Sequence, residues 1–258
     1  MDKRTKQKRR LGLLAAAGFW LGVWQLAALA VGQPVLLPTP AQALEELVRL
    51  LPTPALWQRA AFSTGRILLG FGLGAVCSTV LAAAAWRWGA VELLLAPVMQ
   101  LVKATPVASF IILALVWVSG RSLSVLISFL MVVPVLYGAV RTGLGSVDRQ
   151  LVEMGQVFRL SRWRRLRAIW LPGVLPAFRQ GCSVALGICW KSGIAAEIIG
   201  LPDGSLGDAL YRAKITLSTG EMFAWTAVIL LLSAGFEKLL LAGLDRAVAA
   251  VTGEGAIR

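Results

Sequence analysis

The chain has 258 residues, 57% hydrophobic and 15% charged, against about 45–50% apolar and about 25% charged in soluble domains. That balance argues against a water-soluble fold. A net charge of +13, confined to short segments between apolar runs, fits the positive-inside rule better than a nucleic-acid partner. With no histidine present, histidine-based acid–base chemistry and His-ligated metal sites are ruled out.

Residues 1–10 form a basic N-terminal segment ahead of an apolar run over 11–31. Ala28-Leu29-Ala30 offers a small-residue cleavage site, but the run is about twice a signal-peptide core of about 7–15 residues. It is therefore expected to remain as a first span. A bilayer core takes about 20 apolar helical residues, and the remaining windows are 65–86, 107–119, 123–140, 172–199 and 222–244. The expected fold is all-α, a polytopic integral membrane bundle of about six transmembrane helices.

Residues 32–64 carry Pro34, Pro38, Pro40, Pro52 and Pro54 and are too broken to span. They form an expected external segment, in which Thr39-Pro40 sets the N-cap and N1 of a short amphipathic helix over 41–51. The core then covers 65–244. Gly70 and Gly74 make a small-xxx-small pair that admits a close neighbouring helix. The window at 107–119 is short, and the stretch 91–102 before it is interrupted by Pro97 and Lys103. Such a broken element must be covered by protein or line a cavity. Cys77, Cys182 and Cys189 lie in apolar runs and match no metal or redox motif.

The excess of Lys and Arg places residues 1–10, the loop 141–171 and the tail 245–258 on the cytoplasmic side. Within that loop Leu151, Met154 and Phe158 recur at helical spacing, with Glu153 on the polar side. Ser161 is an expected N-cap for a second helix carrying Trp163, Leu166 and Trp170 on one stripe, ended by Leu171-Pro172. From the residues alone, an interfacial helix among lipid head groups and a protein-docking helix remain equally open.

Glu153-Met154-Gly155, followed by Ser161-Arg162-Trp163 and by Leu171-Pro172, resembles the EAA loop of ABC importer permeases. The wider match is to the nitrate, sulfonate and taurine family of type I importer permeases, over roughly 56–244. It includes LLGFGLGAV in the second span, the AAEIIG ending at Gly200, Leu206-Gly207, and 219–225. The resemblance implies that Leu151, Glu153, Met154, Gly155, Phe158, Arg159 and Ser161 belong to a coupling helix docked on a cytoplasmic ATPase subunit. It also implies an extracytoplasmic solute-binding protein meeting 41–51 and 203–221, a second permease copy, and residence in a bacterial inner membrane. Met154 and Gly155 replace two alanines of the motif, and Arg159 stands where glycine is common. A turn formed without a left-handed residue is the expectation there.

Ionisable residues within spans are costly and mark function by default. Lys191 and Glu197 stand out, about 120° apart on their helix, with Ser183 and Ser192 as polar neighbours lining a candidate pathway. For an anionic cargo, Lys191 would offset the loss of hydration; pairing with a carboxylate or reaching the outer interface is the alternative. No G-x-x-x-x-G-K-[ST] phosphate loop occurs, so ATP hydrolysis falls to another subunit. No cofactor or metal is expected. The resemblance implies a nitrate, taurine or alkyl sulfonate permease, with a riboflavin or thiamine-precursor permease as the alternative. A stand-alone secondary transporter would show internal repeats, and none is evident.

Overall fold

The computed structural model describes residues 3–252, so Met1, Asp2 and the end of the expected tail, 253–258, lie outside the described residues. The elements follow in chain order: α1 (Lys3–Val31), α2 (Pro40–Leu50), α3 (Pro54–Arg87), α4 (Gly89–Ala104), α5 (Val107–Ala114) and α6 (Gly120–Gly145). Then come α7 (Arg149–Val157), α8 (Arg162–Arg165), a π-helical turn (Leu166–Trp170), α9 (Leu171–Gly200), α10 (Leu206–Ile215) and α11 (Thr219–Thr252). The fold is all-helical. Among the described residues five helices are long and apolar enough to cross a membrane, or six spans when α4 and α5 count as one bent span.

Local chemistry explains most boundaries. Thr39 and Gln42 form a reciprocal capping box at the start of α2, with Pro40 at N1. Helix α3 begins at Pro54, so residues 54–64, expected in the external connection, form about three turns of it. Polarity does not stop the helix, because Leu56, Ala60, Ser63 and Thr64 all turn inward. Between α4 and α5 the chain bends by 101°. Pro106 causes this: it disfavours the helical region for Thr105, which sits at φ −77°, ψ 131°. The expected window 107–119 is thus corrected to an eight-residue helix ending at Ala114, while α4 runs through both Pro97 and Lys103.

A second correction concerns Leu171-Pro172, which does not end a helix. Helix continues from Arg162 to Gly200, and the π turn widens it where Pro172 would otherwise clash. Leu171 N–H donates to the Leu166 carbonyl five residues back, and Pro172 has no N–H to require a partner.

The core is a sandwich of α3, α6 and α9, with α6 in the middle. A Cβ on Gly70 would lie 2.5 Å from the Val125 carbonyl oxygen, and one on Gly74 2.9 Å from Val132 Cβ. The small-xxx-small pair therefore seats α6 against α3. On the other side, a Cβ on Gly181 would lie 2.5 Å from Ala139 Cβ. Ile67, Val132, Leu136, Cys182, Ala185 and Cys189 are buried in the largest apolar cluster at this junction. Helix α11 attaches to α9 through Trp190, which donates to the Ile229 carbonyl at 3.1 Å and stacks on Phe236. Helix α1 packs lightly, with Trp24 donating to the Pro38 carbonyl at 3.0 Å and stacking on Phe223.

Gly70→Leu and Gly181→Leu should each destabilise the purified protein by about 1–3 kcal/mol, the usual cost of overpacking. Gly72→Leu should be neutral, because a Cβ there meets nothing within 4 Å. Thermal unfolding in detergent distinguishes them; equal behaviour of the three variants would refute the packing account.

Candidate functional site

At one end of the bundle, beyond the spans, α7 and α8 form a helical hairpin. Asp148 caps α7 by accepting from Gln150 N–H at 2.8 Å, and Ser161 caps α8 by accepting from Arg164 N–H at 3.3 Å. Gly155 is the buried contact of α7: a Cβ there would lie 2.8 Å from Ile169 Cδ1 and 3.5 Å from Arg165 side-chain carbons. Close packing against the π turn thus explains glycine at this position. The opposite arrangement holds for the apolar residues of α7. Leu151, Met154, Val157 and Phe158 are all exposed, the last two at 79% and 71%. Glu153 lies on the surface beside Arg149. Of the expected stripe on the second helix, Trp170 packs edge-on against Trp86, whereas Trp163 is exposed.

The turn after α7 corrects the expectation for Arg159. Its φ is +50°, so the arginine adopts the left-handed conformation itself. Arg159 N–H donates to the Gln156 carbonyl at 2.9 Å, and Leu160 N–H to the Gly155 carbonyl at 3.0 Å. This pair is a Schellman motif, whose satisfied carbonyls offset the steric cost of a non-glycine residue there. The two short helices therefore keep a tight junction despite the substitution.

Of the four residues singled out on α9, Lys191 lies on an exposed stripe with Gln180, Val184 and Ile188. The other three are taken up by helix contacts. Ser183 Oγ donates to Glu237 of α11 at 2.8 Å. Ser192 Oγ donates back to the Ile188 carbonyl at 2.9 Å, as serines within helices commonly do. Glu197 is fully buried; its Oε2 accepts from Ser63 Oγ at 2.7 Å and from Gly207 N–H at 3.3 Å. Ser63 in turn accepts from Leu206 N–H at 2.9 Å. Arg66 Nε donates to Ser124 Oγ at 3.3 Å, and Glu197 Oε1 has no hydrogen-bond partner among the described residues. One acidic side chain thus ties α9, α3 and the start of α10 together.

The opposite end of the bundle carries a second polar network. Arg59 donates to the Ser205 carbonyl and to Asp208 Oδ2, both at 2.9 Å. Arg212 donates to Asp208 Oδ1 at 2.8 Å and to Asp203 at 3.0 Å. Burial pushes the Asp208 carboxyl up, but the hydrogen bonds and charges of Arg59 and Arg212 outweigh it and hold the group below its usual range. These residues escaped the sequence reading because Arg59 and Asp208 are 149 positions apart, and no local spacing signals such a pair.

A bundle of apolar spans, with polar networks at one end and an exposed two-helix loop at the other, is the architecture of a multi-pass membrane permease. A family model described as "Binding-protein-dependent transport system inner membrane component" matches residues 70–248. The chain belongs to this family, as an ABC transporter permease subunit rather than an enzyme. It is 28% identical over 216 residues to "Taurine transport system permease protein TauC" of Escherichia coli (strain K12), covering 81% of this chain and 78% of that protein. It is 32% identical over 204 residues to "Putative aliphatic sulfonates transport permease protein SsuC" of the same organism, covering 77% and 76%. "Riboflavin transport system permease protein RibX" of Chloroflexus aurantiacus is 28% identical over 228 residues, covering 86% and 84%. Among solved structures, a chain of the "Crystal structure of an amino acid ABC transporter with histidines" superposes with a TM-score of 0.57 at 14% identity, covering 81% of this chain and 97% of that one. That likeness is one of fold.

Arg159→Gly should relieve about 1 kcal/mol of left-handed strain, and Arg159→Val should add strain. Hydrogen exchange at Leu160 reads both, and faster exchange in the glycine variant would refute the Schellman assignment. Asp208 has a lowered carboxyl pKa in the folded protein, so its contribution to stability is present above the ordinary value of about 3.9 and lost as pH falls through the lower folded value. Asp208→Asn should loosen α10 at neutral pH, raising amide exchange over 206–215, while the parent holds this protection down to about pH 4; protection that is equal in the two proteins at neutral pH would contradict the network's role.

Proposed function

We propose that this chain forms the translocation pathway of an ATP-driven importer for a small oxyanion-bearing solute, with alkyl sulfonates, nitrate and the zwitterionic sulfonate taurine as the solute class. A separate ATPase subunit docks on α7, a solute-binding protein delivers cargo to the α2 and α10 end, and a second copy of this chain completes the pathway. Both termini then face the cytoplasm, because Arg149, Arg159, Arg162, Arg164, Arg165 and Arg167 gather at the α7 end. Glu45, Glu46, Asp203 and Asp208 mark the external end.

The observation that carries the docking assignment is the exposed apolar surface of α7 formed by Leu151, Met154, Val157 and Phe158. Contiguous apolar surface on a segment outside the spans marks an interaction site. Glu153 and Arg159 border it with charge, and Gly155 fixes its distance from the π turn that leads into α9, so a push on α7 would reach the long helix through that turn. The solute class rests on the likeness to TauC and SsuC. The 28% identity to RibX, the same as that to TauC, makes a flavin the comparison ligand.

Phe158→Ser combined with Val157→Ser should weaken ATPase association by at least about 2 kcal/mol, roughly thirtyfold, as loss of a central apolar anchor does. Gly155→Leu should leave the ATPase bound but lower transport per ATP, since it separates α7 from Ile169. Co-purification and the ratio of uptake to ATP hydrolysis in proteoliposomes measure these effects. Unaltered association and coupling in both variants would remove the docking assignment, and retention of flavin rather than taurine or ethanesulfonate by the partner binding protein would replace the solute class.

A further inference from the structure

We infer that the groove between α6 and α9 holds the solute in transit, and that Lys103 supplies the positive charge that binds it, the ligand being a small organic oxyanion such as a sulfonate. This rests on the importer reading above and assigns its binding site. The groove is a cavity of about 280 Å³ lined by Val135, Gly138 and Thr142 of α6 and Ala177, Gln180 and Gly181 of α9. On each helix these positions recur at three- and four-residue spacing, so each set is one continuous face. The volume lies near the lower end of ligand sites, on the order of 300 Å³, which suits a solute of few heavy atoms.

Lys103 enters from the last turn of α4. A Cβ built on Gly138 would find Lys103 Nζ at 4.0 Å and no other heavy atom within that distance. The absent side chain at position 138 therefore opens the groove to the ammonium. Lys103 Nζ thus lies level with Gly138, seven residues or about 10 Å from the α7 end of α6, and an unmatched charge beside a span is costly and functional by default.

No carboxylate among the described residues pairs with it. Among the described residues of the long helices and α4, Glu92 is held by Arg141, Glu197 by Ser63 and Gly207 N–H, Glu237 by Ser183, and Asp245 by Arg179. Glu221 accepts from Trp225. Lys103 forms no ion pair or hydrogen bond among the described residues, so the anion that matches it must come from outside the chain. Thr142 and Gln180, both exposed, offer a hydroxyl and an amide to orient oxyanion oxygens, with apolar walls for an alkyl tail. Lys191 extends the cationic surface along the stripe of Gln180, about 16 Å further on.

The test uses the assembled complex, permease with its ATPase and binding protein, in proteoliposomes supplied with radiolabelled ethanesulfonate or taurine. Lys103→Ala should lower uptake at least tenfold while binding-protein-stimulated ATP hydrolysis and dimer content persist, and Lys103→Arg should restore most of it. Acylation of Lys103, read by mass spectrometry on the parent complex, should be slowed by ethanesulfonate and not by an equal concentration of ethanol. Unchanged uptake by Lys103→Ala, or acylation indifferent to ethanesulfonate, would overturn the assignment and leave the importer reading intact. Loss of the dimer in Lys103→Ala, with uptake tracking dimer content, would overturn it in favour of a contact between copies. A parent complex that moves neither anion would refute the anion-importer reading itself.

Discussion

The close approach of α6 to α3 and α9 is the constraint on which the rest of the molecule depends. Lipid tails are as apolar as leucine, so no hydrophobic force drives helices together in the bilayer, and packing must supply the association. Gly70 and Gly74 on one side of α6 and Gly181 on the other allow separations that a methyl group would block. Once α6 is held between its neighbours, the remaining spans need less. Helix α11 is tied to α9 at Trp190 and through Ser183 and Arg179, while α1 hangs on Trp24.

That sandwich fixes α9, and α9 connects the two ends of the protein. Helix runs from Arg162 to Gly200 without a break, widened by one π turn beside Gly155. At the far end Glu197 binds Ser63 and the start of α10. A buried carboxylate is stable only when hydrogen-bonded, so α10 cannot lift away without exposing or orphaning it. One continuous element therefore meets the α7–α8 hairpin at one end and α10 at the other, and on the proposed docking it would be the route between them.

Much of this was legible in the sequence where a local rule sufficed. The apolar windows, the Thr39-Pro40 cap and the Gly70/Gly74 contact each follow from neighbours in the chain. What stayed hidden depended on tertiary context or on a rule overridden. Pro97 looked like the breaker of the third window, yet the bend falls at Pro106, because a proline restricts the residue before it and an interior proline can be carried by a supported helix. Arg159, Leu201 and Leu217 all take positive φ, where composition signals nothing. In the case of Arg159 and Leu217 the Schellman hydrogen bonds after α7 and α10 hold the conformation. Pro172 read as a stop because an α turn was assumed, and a π turn removed the clash. The polar networks joining Arg59 to Asp208 and Ser63 to Glu197 span well over a hundred positions and have no sequence period.

The distribution of charge inside the bundle is uneven in a way that bears on selectivity. Among the described residues the carboxylates of the long helices meet a cation, a hydroxyl, an indole or a backbone N–H, and none of them reaches Lys103. Lys103 and Lys191 are left without partners among the described residues, and the groove beside Lys103 is otherwise walled by small and apolar side chains. In a medium of low dielectric constant an unmatched cation raises the local potential far more than it would in water. An anion entering such a groove recovers part of its lost hydration, whereas a cation meets repulsion with no compensating carboxylate. On the proposed reading, selectivity for anions would rest on the unpaired Lys103 and the solute's size on the narrow separation that the glycines of α6 and α9 impose.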